Sequence, residues 1–428
     1  MASKHTLNNN SLICHHCIGD LALSKRIRTS GETQICSFCG RHAKSLQLKK
    51  LAEIVGVAFV NFYEPGDEIP TFDVESDEAG WEQEGSPPEE IIAGLIDAEP
   101  VIVEAMIAYL SSATRYSLIK NGAPEYYDSS TNYVEASLYG HRHFRVWAKF
   151  CQRIKHTRRF FDPSSRKFLD DIFKDIDKFS FGGAPIPVVT LDPKGKTITV
   201  YRARRAANGK AAKKILTNPT SELGPPPVKT ALPGRMNPAG ISVFYGAFNI
   251  DTCVAELRPP VGSLVVYGAF TVQEKLKLLD LSVFEKRIDY PSIFEEDVHP
   301  IWTRWKFLHA FHRQITSPVQ PEDELFEYIP TQAVAEYIAN VLKYDGIVYS
   351  STQLGKRNRN IALFNVRVPS SKRKTDQEKS SEDLSEYDED TDGYRPLLRY
   401  VTDSARVAEV SRAQYSRRVI DEEDLLYY

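Results

Sequence analysis

What the chain is short of narrows its class first. Its 428 residues hold only 3 Met and 4 Trp, and its charges cancel to a formal −3. Nothing in that balance suits the whole molecule to coating nucleic acid or an anionic membrane, which both need a strong excess of one sign. No apolar run is long enough to span a bilayer, and the opening MASKHTLNNN has no apolar core of the kind a secretion signal needs. A soluble cytoplasmic protein without membrane attachment is therefore expected, in a compartment where structural disulfides are rare. No GxGxxG or Walker loop follows a strand pattern, which disfavours dinucleotide-recycling dehydrogenases and P-loop nucleotide hydrolases. Cysteine is scarce too, at 6 residues.

Four of those six fall as CHHC (Cys14, Cys17) and CSFC (Cys36, Cys39), with 18 residues between the pairs, while Cys151 and Cys253 stand alone. Each CxxC suits one knuckle of a four-thiolate zinc site, and such a site is structural because four thiolates leave no position for water. His15 and His16 lie inside the first pair and are alternative ligands.

The composition then sorts the rest into regions. Residues 1–45 form the zinc module. Residues 46–180 read as a helical domain: 46–63 repeat apolar residues at helical spacing, 73–90 read as a solvated acidic loop running into a helix start, and helical patterns continue to about Lys178. Within it, the basic helix HRHFRVWAKFCQRIKHTRR places Arg153 and His156 too close for the Arg and His spacing of helical ribonucleases. It is expected to pack through Phe144, Trp147, Phe150 and Ile154. Residues 181–368 mix Gly, Pro and alternating β-branched residues, the pattern of a domain of mixed strands and helices. Residues 369–394 are polar, charged and acidic overall, with too little apolar surface to order themselves, and residues 395–428 return to apolar alternation through Val407, Val410 and Tyr415. That last segment is expected to add a strand or hairpin to the mixed domain.

Within the mixed domain, polar residues gather around a few elements. Arg202 and Arg204 share one face of a strand in VYRARR, and a guanidinium at a strand end suits phosphate or carboxylate. A Gly and Pro-punctuated loop delivers Arg235 and Asn237. Tyr245 lies on the strand ISVFYGAF, and Asn249 or Asp251 caps the helix that follows. On that helix Glu256 lies roughly 60° from Cys253, at the edge of the apolar face, where a carboxylate is costly unless paired. Taken singly, each of these is an ordinary strand-end charge, core tyrosine or paired carboxylate.

Their order resembles the RES domain family across residues 197–368. The matching pieces are YRAR (Arg202), PGRMNPAG (Arg235), FYGAF (Tyr245), AELRP (Glu256) and YDGIVYSS…NRNIALF, with Ser351 and Asn360. Where the family usually has Tyr-Pro-Ser this chain has YSS, so the motif serine is Ser351 by register or else Ser350. Residues 83–178 resemble the helical, HEPN-related domain that precedes RES domains in longer proteins. The resemblance implies an α+β fold like that of ADP-ribosyltransferases, with NAD as substrate and cleavage of the nicotinamide–ribose bond. The acceptor would be water or phosphate; a protein acceptor, or a zinc and helical binding module with an idle RES domain, are the alternatives. It also implies a toxin kept silent by an Xre-class antitoxin, a role compatible with phage defence. In that reading Glu256, Arg202, Tyr245 and Ser351 are catalytic, and Arg202, Arg235, Tyr245, Ser351 and Asn360 hold the substrate.

Overall fold

The computed structural model of the chain describes residues 7–73, 78–121, 126–128, 130–136, 142–286, 288–317, 319, 322–366, 368, 395 and 397–412. The segment 369–394, read above as unable to order itself, and Tyr415 lie outside the described residues. Packing divides the chain into two units, Met1–Arg145 with Ile288–Phe307 and Val146–Arg287 with Leu308–Tyr428.

The first unit opens with strands β1 (Leu12–Cys14), β2 (Glu32–Ile35) and β3 (His42–Gln47) in the order β1-β3-β2, with helix α1 (Leu21–Ser30) between β1 and β2. Helix α2 (Leu48–Phe62) forms where the periodicity predicts, because Leu48, Leu51, Ala52, Val55, Phe59 and Phe62 recur on one buried stripe. Gly56 interrupts that stripe for a steric reason. A Cβ there would lie 2.7 Å from Leu110 and 3.0 Å from the Tyr127 hydroxyl, which donates to the Gly56 carbonyl at 2.9 Å. Strand β4 (Tyr63–Pro65) follows directly, and the next stretch departs from expectation. Residues 68–83 are a two-stranded ribbon, β5 (Glu68–Asp73) against β6 (Glu78–Gln83), where the acidic composition of 73–90 predicts a loop. A ribbon open to water needs no apolar alternation, so its sequence carries no strand signal. Helices α3 (Pro88–Ile96) and α4 (Pro100–Asn121) close the core around Ile92, Ile96, Val103 and Met106, and β7 (Tyr133–Glu135) pairs with β4.

The second unit takes up helix α5 (Arg142–His156) from Val146 and includes α6 (Pro163–Phe173). The packing thus groups α6 with the elements after it in the chain. Phe173 packs on Tyr337, and Trp147 packs on Phe150, Phe168 and Phe311. Two basic residues of α5 make ordinary pairs, Arg153 with Asp162 and Lys155 with Glu327.

The sheet of this unit uses β8 (Val188–Leu191), β9 (Thr199–Ala206), β10 (Val243–Ala247), β11 (Leu264–Val272), β12 (Leu276–Asp280), β13 (Gly346–Ser351), β14 (Gly355–Phe364), β15 (Leu398–Tyr400) and β16 (Arg406–Glu409). The order is β15-β11-β9-β10-β14-β13-β12-β8, with β16 also on β11. Among the described strands of this sheet only β12 and β13 pair in parallel; the other strand pairs are antiparallel. The terminal segment contributes β15 and β16, both paired with β11. Helices α7 (Gly209–Thr217), α8 (Pro219–Glu222), α9 (Ile250–Ala255), α10 (Val298–Thr316), α11 (Glu324–Glu327) and α12 (Ile329–Asn340) complete the described elements. Of α10, residues 308–316 belong to this unit. One face of the sheet buries Val200, Phe244, Val266, Phe270, Val348 and Ile361, and the other packs Ala203, Ala247 and Val265 against Cys253 of α9. The whole is an α+β fold, with helices preceding a mixed sheet.

Candidate functional site

The site grows from the middle of the sheet, where register decides which side chains share a face. Across β10, β14 and β13, Ala247 faces Asn360 and Asn360 faces Tyr349. Side chains two apart on a strand share a face, so Tyr245, Asn360 and Tyr349 lie on one side of this patch. The β13–β14 ladder shifts register between Ser350 and Ser351, a bulge at which Ser351 pairs with Gly355, whose φ of 80° suits a residue without a Cβ.

That bulge sends the two serines to different partners. Ser351 Oγ donates to Glu256 Oε1 at 2.6 Å and accepts from the backbone N–H groups of Gln353 and Leu354, which orients the hydroxyl proton toward the carboxylate. Ser350 Oγ donates to Glu285 Oε2 at 2.5 Å, and its N–H donates to His312 Nε2 at 3.3 Å. A His312 that accepts at Nε2 carries its proton on Nδ1, which lies 3.5 Å from Glu285 Oε1. The choice between Ser350 and Ser351 thus becomes two separate Ser–Glu pairs, and only that of Ser351 reaches Glu256.

Glu256 reaches this place from the C-cap of α9. The helix starts at Asn249 rather than Asp251, and the Asn249 side chain accepts from Thr252 N at 2.8 Å. Asn358 of β14 then accepts from both Asn249 and Thr252, which fixes the start of the helix to the sheet. Cys253 lies buried under Tyr201, its Sγ 3.3 Å from the Tyr201 carbonyl, and burial pushes its thiol up to about 12, so it stays protonated and unreactive.

The loop carrying Arg235 is clamped by Tyr245. The Tyr245 hydroxyl accepts from Met236 N at 2.9 Å and donates to Asn237 Oδ1 at 2.7 Å, while Asn237 Nδ2 donates to the carbonyls of Leu232, Pro238 and Ile241. Arg235 donates to the carbonyls of Gln314 and Ser317 and stacks 4.8 Å from the Tyr328 ring centre, so part of its fork is already engaged. Arg202 stands apart from the hydrogen-bonded group. Its guanidinium lies 5.2 Å from the ring centre of Phe244, the residue whose side chain alternates to the face opposite Tyr245. Burial is the main cause holding it down to about 10, and the neighbouring Cys253 and Tyr245 oppose that shift. Among the described residues, its NH1 and the Asn360 Nδ2 are sealed from solvent without a hydrogen-bond partner, each costing about 1–3 kcal/mol until something accepts from it.

The structure therefore brings Glu256 and Ser351 into contact. It sets Tyr245 and Asn360 on one face, holds Arg235 beside them through its loop, and places Arg202 over Phe244. Sequence reasoning missed Tyr349, whose hydroxyl is pushed above its usual range by burial first and then by the charges of Tyr245 and Glu256. Alternation in GIVYSS would have grouped it with Ser351. It also missed Glu285 and His312, which no local spacing connects to Ser350.

The four cysteines converge as their spacing predicts. Their Sγ atoms lie within 4.8 Å of one another, with Cys14–Cys17 and Cys14–Cys39 at 3.6 Å and Cys17–Cys36 at 3.8 Å. A tetrahedron with Zn–S bonds of about 2.3 Å has edges of about 3.8 Å, so these three separations suit a four-thiolate zinc site. Burial raises the Cys36 thiol, but the backbone N–H groups of Cys39, Cys14 and Phe38 outweigh it and bring it down to about 7, which favours the ligating thiolate. His15 is turned to the Lys44 carbonyl at 3.2 Å, and neither it nor His16 joins the cluster.

Comparison with known proteins finds two matched segments. Residues 199–386 match the family model described as the RES domain, and residues 29–168 match the HEPN/RES N-terminal domain 1. Cys14 and Cys17 precede both matched segments, whereas Cys36 and Cys39 lie inside the second. No curated protein matches the chain. Among solved structures, the chain is similar to one in the crystal structure of the M. tuberculosis MbcT–MbcA toxin–antitoxin complex, at 11% identity and a TM-score of 0.26, covering 56% of this chain and 93% of that one.

Proposed function

We propose, for a chain that carries a RES domain behind a HEPN/RES N-terminal domain, that the second unit consumes NAD by breaking the bond between nicotinamide and ribose. Breaking that bond leaves a ribose with oxocarbenium character, and a fixed carboxylate stabilises this cation more than the neutral ground-state sugar. Glu256 takes that role, held by Ser351. Asn360 and Tyr349 face the sugar and the nicotinamide amide, Tyr245 holds the wall and the Arg235 loop in place, and Arg235 binds the pyrophosphate, while Arg202 supports the sheet from its place over Phe244. The observation that carries the reading is the 2.6 Å Glu256–Ser351 pair, and a buried Asn360 amide on the adjacent strand that has no hydrogen-bond partner among the described residues supports it. A site that already bears the cost of an unsatisfied donor is one that a polar ligand stabilises on binding.

Water or phosphate accepts the ADP-ribose, and zinc in the first unit holds the fold without touching the reaction. A protein antitoxin, of the Xre class that accompanies such domains, keeps the activity silent.

Purified chain incubated with NAD, with and without phosphate, is expected to release nicotinamide. Glu256→Ala is expected to slow it by about 10²–10³-fold, the usual loss when one transition-state partner is removed. The phosphate dependence of the sugar product names the acceptor, and radiolabel from NAD retained on protein identifies a side-chain acceptor instead. NAD loss that survives Glu256→Ala would remove this assignment.

A further inference from the structure

A cavity of about 160 Å³ opens within the first unit, well away in sequence from the Glu256–Ser351 pair. Three elements build it. Helix α2 ends there with Phe62. The β4–β7 ladder sets Tyr63 directly opposite Glu135. Val298, Trp302 and Lys306 recur every four residues along one face of α10. Phe62 meets Trp302 edge to face at 4.9 Å. The Lys306 ammonium lies 3.7 Å from the Trp302 ring centre.

Two charged groups in these aromatic walls are left with bonding capacity. Among the described residues, no carbonyl or carboxylate accepts a hydrogen bond from Lys306, and none donates to the Glu135 carboxylate. Burial lowers the Lys306 ammonium from its usual range, and Glu135 opposes that shift. The same carboxylate, after burial itself, raises the Tyr63 hydroxyl. Lys306 and Glu135 thus sense each other across the cavity without closing an ion pair. A cation that offers donors beside a carboxylate that offers acceptors matches a ligand edge with an acceptor beside a donor. The volume holds one ring system, below the roughly 300–1,000 Å³ of sites for drug-sized molecules.

We infer that this cavity binds a small planar ring bearing an amide-type edge, its carbonyl oxygen accepting from Lys306 and its adjacent N–H donating to Glu135, with Phe62, Tyr63 and Tyr290 along the ring. Two sources share that chemistry, an aromatic carboxamide such as nicotinamide and the lactam edge of a nucleobase such as hypoxanthine. The inference stands apart from NAD cleavage, because it concerns another unit and is read by binding alone.

Isothermal titration of the full chain with nicotinamide, hypoxanthine and nicotinate tests it. One or both of the first two are expected to bind, and which one does identifies the source. Nicotinate lacks the N–H and carries a charge that Glu135 repels, so it is expected to bind at least tenfold more weakly. Lys306→Met keeps the stem over Trp302 and removes the ammonium; Glu135→Ala alters an exposed residue. Each is expected to weaken binding at least tenfold at an unchanged melting temperature, and if one variant melts early the other decides. Absence of binding by both amide-edged ligands, nicotinate binding as tightly as nicotinamide, or affinity that survives the variants would overturn the site.

Discussion

The four-cysteine cluster of the first unit and the Glu256–Ser351 pair of the second reach comparable closeness by different routes. Cys14 and Cys17, like Cys36 and Cys39, are brought together by single turns, and a short three-stranded sheet joins the two turns. Glu256 and Ser351 are 95 positions apart and meet only because β10, β14 and β13 pair in one register. A site assembled by local turns sets four thiols side by side, and thiolates that close repel one another unless an ion binds them. A site assembled by a sheet depends on the sheet, and its polar groups are free to serve a substrate.

The largest expected effect breaks the comparison on the metal side. Cys36→Ser removes one thiolate of four, and apparent zinc affinity in such sites, about 10–16 kcal/mol, is also folding free energy. The parent chain is expected to carry one equivalent of zinc and the variant none, and the variant is expected to lose with it the order of β1, β2 and β3. Metal content and proteolytic cleavage within residues 7–47 would record this, and NAD cleavage by the second unit is expected to continue. Full resistance to protease in a metal-free variant would mean that the thiols do not need the ion.

A smaller effect separates two neighbours in the sheet. Ser350→Ala leaves the Glu285 carboxylate without its shortest donor, at a site where His312 is fully buried. Its cost is expected to be about 1–3 kcal/mol in the denaturant midpoint of the second unit, with little direct change in chemistry. Ser351→Ala frees a half-buried Glu256 that water can reach, so activity is expected to fall while the midpoint moves less. Exchange of these outcomes would reverse the roles given to the two serines.

This pair also marks how far the sequence could be read. The order of Arg202, Arg235, Tyr245, Glu256, Ser351 and Asn360 pointed to one domain, and the periodicity of α2 and α6 predicted those helices. The register that sets Tyr349 beside Asn360 was not legible, because strand pairing is a property of distant segments. Neither was the link from Ser350 to Glu285 and His312, which come from a short 3₁₀ turn and a helix. The β5–β6 ribbon was hidden for the opposite reason, since backbone pairing in water leaves no apolar alternation to read.

The smallest effect tests whether nearness in sequence means strength. Arg166 and Asp170 stand one helical turn apart on α6 with a 2.8 Å bond, as legible a pair as the cysteines, yet both are largely exposed. Burial raises the Asp170 carboxyl, but Arg166 and the Tyr337 hydroxyl outweigh it and hold the group below its usual range. Its folded pKa is therefore depressed, so its contribution is present above the unfolded value of about 3.9 and is lost as pH falls through the folded one. Solvent screening limits that contribution to about 0.3–0.5 kcal/mol. Asp170→Asn is expected to lower the melting temperature of the second unit by no more than about a degree or two at neutral pH, and not at all in acid. Tyr337→Phe removes the hydroxyl that reaches Asp170 at 2.8 Å from 167 positions away. If that substitution costs more than Asp170→Asn, the tertiary contact outweighs the helical one, and the bond that sequence could not reveal is the stronger.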